Sequence, residues 1–317
     1  MNVSYRLRSD WRLRTRTLEL GRRTLVMGVV NITPDSFSDG GLFLDPQAAV
    51  AHGLKLLEEG ADILDLGAES TRPGSRAGSL DAPAVSAEQE QGRLLPVLEG
   101  ILAARPDAVI SADTYKAATA RAALRAGAEI VNDVSGFNWD AEMAAACAEA
   151  KCGVVLMHTR GRPDEWRSLP ALKPDEVMET VRDGLAASLA AARRARIAEE
   201  SVVLDPGYGF GKRFEENYAL LARQGELLAL GRPLMAGVSR KSFLGHALAG
   251  LRKGQTATVA ERETASIAAM TAAILHGASV VRVHDVGAAV EAAAIADAVL
   301  SVGSPVSEAR PGAPSVS

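Results

Sequence analysis

Cysteine is nearly missing from this chain: Cys147 and Cys152 are the only two thiols in 317 residues. They form no C-x-x-C pair, so packing inside the core is expected for both, and a disulfide framework is excluded. Long apolar runs are missing as well, since none reaches the roughly 18 residues that a membrane span requires. An excess of positive charge is missing too. The net charge of -4 and pI near 5.8 provide no domain-wide field for a nucleic-acid backbone. These absences point to an ordinary soluble protein of the cytosol.

One local exception is the N-terminus, where seven arginines fall within the first 23 residues. Asp10 and Glu19 interrupt them, which argues against an organelle transit peptide. The stretch WRLRTRTLELGRRTLVMG alternates as a β-hairpin does, with a turn expected near Gly21. The expected division is a hairpin over residues 1–24 closing the floor of a larger domain, that domain over 25–302, and a disordered Ser/Pro/Gly-rich tail from Gly303.

From Leu25 onward, short β-rich runs alternate with longer helical segments. The strands are LVMGVVNI, DILDLGA, AVISADT, EIVNDV, GVVLMHT, SVVLDPG, LMAGVS and SVVRVHD, beginning at Leu25, Asp62, Ala108, Glu129, Gly153, Ser201, Leu234 and Ser279. Nearly continuous Val, Ile and Leu implies strands covered on both faces, as in a parallel sheet. Helix starts are marked by Ser86 with Gln89 three residues on, and by Pro174 before Asp175 and Glu176. Eight β/α units without a linker predict an α/β fold, a single (β/α)8 TIM barrel.

Working residues in such barrels sit where strands end. Here those positions hold Asn31, Glu69 to Arg72, Asp113, Asn132, Met157 with His158, Asp205, Ser239 to Lys241, and Arg282 with His284. Any one of them could be a helix cap or a satisfied loop group. Polar residues at all eight strand ends together predict one composite pocket. Asp113, Asn132, Asp205 and Lys241 form a cup of acceptors with one ammonium donor, suited to a flat heterocycle with an amino-amide edge, and Met157 offers a polarizable wall. Asn31, Arg282 and His284 suit a diphosphate carried as its Mg2+ complex, with the Asn31 oxygen as metal ligand. Zinc at His158 and His284 lacks an H-E-x-x-H or a Cys partner. The glycine-rich DPGYGFGK fits neither nucleotide-loop spacing; its glycines are expected to let the backbone approach the substrate while Phe210 points into the mouth.

The motifs GVVNITPDSFSDGG, GAESTRPGS, VNDVSG, DPGYGFGK, GVSRKSFLG and RVHDV, in this order between Met27 and Val286, closely resemble the dihydropteroate synthases of folate biosynthesis. The resemblance implies condensation of 6-hydroxymethyl-7,8-dihydropterin diphosphate with 4-aminobenzoate, in an SN1-like displacement that sulfonamides would block. It implies Asp113, Asn132, Met157, Asp205 and Lys241 around the pterin, and Asn31, Arg72, Arg282 and His284 around diphosphate and Mg2+. Phe37, Thr71, Arg72, Pro73, Phe210, Lys241 and Ser242 would shape the aminobenzoate pocket. Asp35, Lys241, Arg282 and His284 would act in catalysis, Asp35 by stabilising a pterin methylene cation beneath mobile first and second loops. A homodimer through the late helices is also implied, near Thr264 to His276 and Gly287 to Leu300. Two departures stand out: MHTRGRPDEW after the fifth strand, where Thr159 and Arg160 could alter the pterin rim, and Ala112 beside Asp113. A pterin-binding methyltransferase would have no use for SRKSFLG and STRPGS. A non-catalytic paralogue should have lost Asn31, Arg72 or the Arg282 and His284 pair.

Overall fold

Each strand of the domain buries both of its faces because two different apolar surfaces press on it, as a computed structural model of residues 6–33, 45–71, 75, 77–78 and 85–303 shows. A two-stranded antiparallel hairpin, β1 (Ser9–Arg12) and β2 (Thr17–Leu20), precedes the domain. Eight parallel strands then close into a barrel: β3 (Leu25–Asn31), β4 (Ile63–Gly67), β5 (Ile110–Asp113), β6 (Ile130–Asp133), β7 (Gly153–Met157), β8 (Val202–Asp205), β9 (Leu234–Ala236) and β10 (Ala278–Val283). β10 pairs with β3 to complete the circle. The (β/α)8 architecture expected from the sequence is the one observed.

Helices wrap the barrel: α1 (Pro46–Glu58), α2 (Ala87–Ala104), α3 (Ala117–Ala126), α4 (Met143–Ala150), α5 (Pro174–Arg194), α6 (Phe214–Arg223), α7 (Ser242–Ala247), α8 (Glu263–Leu275) and α9 (Val286–Gly303). The expected start signals operate. Ser86 accepts from the Gln89 amide at 3.2 Å while the Gln89 side chain accepts from the Ser86 amide at 3.1 Å, a reciprocal cap that satisfies two orphan donors. Pro174 opens α5, where Glu176 accepts from the Lys173 amide at 2.7 Å.

Side chains alternate along each strand, and this sorts the core into two layers. Val26, Val30, Leu64, Leu66, Ile110, Ala112, Val131, Val154, Leu156, Leu204 and Val281 face outward against the helices. Met27, Ile63, Val109, Ile130, Val155, Val203, Met235 and Val280 face inward and fill the lower barrel. Trp11, Leu13 and Leu20 of the hairpin join that inner cluster, and the Trp11 indole donates to the Ser201 carbonyl at 3.0 Å.

The hairpin turns at Leu13–Arg16, where the Leu13 amide donates to the Arg16 carbonyl at 2.8 Å, and not near Gly21 as its alternation suggested. Gly21 has φ +88° and redirects the chain into β3; a Cβ there would lie 2.4 Å from the Leu7 carbonyl oxygen. The arginines staple the hairpin and the entry to β3. Arg12 pairs with Glu200 at 2.9 Å, Arg14 donates to the Ala128 carbonyl at 3.0 Å, Arg16 donates to the Asp107 carbonyl at 2.7 Å, and Arg6 pairs with Asp297. Both cysteines are buried free thiols. The tail beyond Gly303 lies outside the described residues, and no helix among those described is long and apolar enough to cross a membrane.

Candidate active site

One inward step above the apolar layer, two residues along most strands, the barrel becomes polar. Asp65 follows Ile63, Asn132 follows Ile130, Asp205 follows Val203, and Arg282 follows Val280. Asp65, Asn132 and Asp205 are buried, so their groups need partners. Arg282 serves Asp65 and also Asp113 at the end of β5: Nε reaches Asp65 Oδ2 at 2.6 Å and Nη2 reaches Asp113 Oδ2 at 2.6 Å. Asn132 Nδ2 donates to the same Asp65 oxygen at 3.0 Å. One guanidinium thus ties three strands together across the barrel. Burial raises the Asp113 pKa while Arg282 opposes that shift.

Asp65 Oδ1 is buried without a partner among the described residues, so the network keeps an unused acceptor. Gly67, two residues beyond Asp65, makes room for the Asp113 carboxylate: a Cβ there would stand 3.2 Å from Asp113 Oδ2.

The opposite wall comes from the loop after β8 and the start of α7. Asp205 Oδ1 accepts from the Gly207 amide at 2.7 Å, closing a tight turn. Lys241 holds its ammonium 4.1 Å from the centroid of the Phe210 ring, and burial lowers its pKa to about 8. Met157 lies in an apolar cluster with Ala77, Tyr115, Val134, Trp166 and Phe210. The site therefore offers carboxylate and amide acceptors on one side, an ammonium on the other and an apolar wall between them. That set can hold a flat, hydrogen-bonding ring and stabilise charge developing beside it.

With this geometry, a family profile for pterin binding enzymes matches residues 27–284. The dihydropteroate synthase of Mycobacterium leprae is 44% identical over 291 residues, covering 90% of this chain and 96% of that protein. The chain belongs to the dihydropteroate synthases. Among solved structures of the family, Yersinia pestis dihydropteroate synthase with a sulfonamide drug complex has a TM-score of 0.81 at 37% identity, covering 92% of this chain and 99% of its own. The Xanthomonas albilineans enzyme with 4-aminobenzoic acid has a TM-score of 0.80 at 41% identity, covering 92% and 98%.

The remaining expected residues divide by location. Asn31 ends β3, half-buried, with no side-chain hydrogen bond among the described residues. His284 follows β10, its Nδ1 3.0 Å from Ser239 Oγ. Thr71 follows β4, half-buried, and Ser242 is exposed at the first turn of α7. Asp35, Phe37, Arg72 and Pro73 lie outside the described residues.

One expectation needs correcting. His158 does not share the mouth with Met157, because strand alternation carries it outward against α5, where a Cβ on Gly184 would meet its ring at 2.4 Å. Burial holds its pKa well below the ordinary histidine value. In DPGYGFGK, Gly207 and Gly211 approach the loop after β7 closely, whereas a Cβ on Gly209 would meet Lys241 Cδ at 3.4 Å. Gly207, at φ +70°, would place a Cβ 1.9 Å from the His158 carbonyl oxygen. Lys212 ends that loop as a pin, donating to the carbonyls of Gly207 at 2.7 Å and of His158 and Phe210 at 3.3 Å.

Sequence reasoning missed Asp65, although an aspartate inside I-L-D-L-G, in the same strand phase as Asp113 in its own strand, was a usable signal. It also missed the buried ion cluster just past the end of β4, where Lys116 pairs with Glu69 and lies 3.3 Å from Glu90. No spacing in the sequence joins those three residues.

Proposed function

We propose that the protein condenses 6-hydroxymethyl-7,8-dihydropterin diphosphate with 4-aminobenzoate to give 7,8-dihydropteroate and diphosphate. The observation that carries this reading is the polar layer inside the mouth, Asp65, Asp113, Asn132, Asp205, Lys241 and Arg282, in a chain that matches dihydropteroate synthases along most of its length. The pterin ring lies in that cup, with its N–H edge toward the carboxylates and Asn132, its acceptors toward Lys241, and Met157 against its face. Aminobenzoate stacks at Phe210 beside Ser242 and the second loop, with Thr71 at that loop's root.

The C–O bond between the pterin methylene and diphosphate breaks first, and diphosphate leaves with the bonding electrons. The aminobenzoate nitrogen then attacks the methylene cation and sheds a proton. Arg282 and His284 stabilise the departing charge, carboxylates of the cup stabilise the cation, and Asp35 acts from the first loop. A role for Arg282 at both ends of this separation is supported by its bonds, since Nε and Nη2 hold the cup while Nη1 makes no hydrogen bond among the described residues.

The strand ends fit Mg2+ arriving with the diphosphate. This ion takes one or two protein oxygens and fills its remaining positions from phosphate and water. Asn31 offers one carbonyl oxygen with no competing side-chain bond among the described residues, and no group of three His, Cys, Asp or Glu residues suited to a metal occurs among them. When bound, Mg2+ would neutralise the leaving group's charge.

A homodimer is supported by α9, where Ile295, Val299 and Val302 stand exposed at helical spacing along one side. The two buried free thiols support a reducing, cytoplasmic setting. The test is diphosphate release by purified protein given the pterin diphosphate and Mg2+, with dihydropteroate followed by mass. Product that requires both substrates, with sulfonamide competing against aminobenzoate, is the expected result. Pterin binding without product would overturn the reading.

A further inference from the structure

The segment Thr159–Trp166 follows β7 and borders the mouth through Trp166, which packs in one apolar cluster with Met157 and Phe210. Arg160 turns away from the mouth, with Nη1 donating to the Gly211 carbonyl at 3.1 Å, Nη2 donating to the Pro170 carbonyl at 3.1 Å, and Nη1 also lying 3.5 Å from Glu216 Oε2. The Arg160 amide donates to the Phe210 carbonyl at 3.4 Å. Trp166 is tied within its own loop, its indole donating to the Gly161 carbonyl at 3.3 Å. Its ring meets Phe210 nearly at right angles, centroids 5.1 Å apart and planes at 75°. Both rings are 9% exposed. Gly211 is the hinge of this contact: at φ +68°, a Cβ would come within 2.7 Å of Arg160 Cβ and 3.0 Å of Trp166 Cδ1.

Phe210 is therefore held from several directions. Trp166 packs on its ring, Lys241 stands 4.1 Å over the ring, and Lys212 and the Arg160 amide bind its carbonyl. A phenylalanine on a glycine-rich loop has many rotamers and backbone states open to it, and each neighbour removes some of them. Among these neighbours, Trp166 restrains the ring by apolar packing from the loop after β7.

We propose that Trp166 is a positioning residue for the second substrate, fixing the Phe210 ring so that the aminobenzoate pocket is formed before the amine arrives. This rests on the synthase reading above. Preorganisation of this kind improves binding of the substrate that touches Phe210, with little effect on the pterin held by the strand residues.

The test is steady-state kinetics on full-length Trp166→Ala, Trp166→Phe, Phe210→Ala and the Trp166→Ala/Phe210→Ala double variant, each checked for native circular dichroism. Trp166→Ala should raise the aminobenzoate KM about tenfold while the pterin diphosphate KM stays within about twofold, and Trp166→Phe should recover most of the loss. The double variant should be no worse than Phe210→Ala alone, because a residue that acts through Phe210 has nothing left to act on.

An unchanged aminobenzoate KM in Trp166→Ala, an equal rise in both KM values, or additive losses in the double variant would each overturn the proposal. A clear effect of Phe210→Ala without one from Trp166→Ala would overturn it and leave the synthase reading standing. Absence of product from the wild-type protein would instead remove the synthase reading itself.

Discussion

The floor and the mouth of this barrel are built on the same strands, about two residues apart, and they differ in almost every physical respect. At the floor, Met27, Ile63, Ile130, Val203 and Val280 meet Trp11, Leu13 and Leu20 in an apolar layer closed by the hairpin. At the mouth, the next inward positions hold Asp65, Asn132, Asp205 and Arg282. The floor gains stability by removing apolar surface from water, with few groups left to satisfy. The mouth keeps charges in a restricted space, where Arg282 bridges Asp65 and Asp113 and the Lys241 ammonium faces the carboxylates from the other wall. Because β-strands alternate with a period of two, a stable layer and a reactive layer can stand on the same rails without sharing side chains.

The comparison breaks most severely at Arg282. Arg282→Met should leave Asp65 and Asp113 facing each other without their shared cation. A loss of about 3–5 kcal/mol in stability is expected from an uncompensated buried charge, together with turnover at least about a hundredfold lower from the missing leaving-group stabilisation. Urea titration and diphosphate release would check the two effects separately. Full turnover in a folded variant would show that the mouth does not depend on this residue.

The floor should behave in the opposite way. Trp11→Ala removes a fully buried indole and its bond to the Ser201 carbonyl, with an expected cost of about 3–5 kcal/mol. Turnover per folded molecule should be unchanged. Denaturant midpoints compared with activity at low temperature would show whether the two layers are separable, and a matching loss of kcat would mean that they are not.

The smallest effect sharpens the comparison through pH. Burial lowers the Lys241 pKa from 10.5 to about 8, so the folded protein sheds this proton while an unfolded chain would still hold it. Between about pH 8 and 10.5 the unfolded state binds more protons, and stability should rise with pH relative to a Lys241→Met variant. Pterin affinity should move the other way, weakening above about pH 8 as the ammonium donor disappears. Calorimetric titration and melting in matched buffers would follow the pair of trends. Parallel trends, or none, would mean that Lys241 stays charged at the mouth.

The fold was legible at length because covered parallel strands write themselves as unbroken Val, Ile and Leu runs, and because Ser86 with Gln89 and Pro174 with Glu176 mark helix starts by local chemistry. The hairpin was visible in the alternation at Trp11 and Leu13, but its turn was misplaced. Gly21 carries the positive φ that suggests a hairpin turn, yet it serves the exit toward β3. The strand-end residues Asp113, Asn132, Asp205 and Arg282 were legible because a barrel displays its polar strand ends at one mouth. Asp65 was harder to find, since an aspartate in the middle of its strand, two residues before the strand ends, resembles any polar interruption. His158 was misread because its neighbour Met157 takes the inward position.

Alone, the sequence determined the order of the elements, the barrel and the family, since these rest on local periodicity and on motifs that survive without coordinates. Only the tertiary structure decided that Arg282 bridges Asp65 and Asp113, that Lys212 pins a loop by three carbonyls, and that Trp166 packs on Phe210. Those contacts join residues between 2 and 217 positions apart. Their energies depend on distance, angle and burial, and those quantities arise only when the barrel closes and brings the strand ends and their loops together.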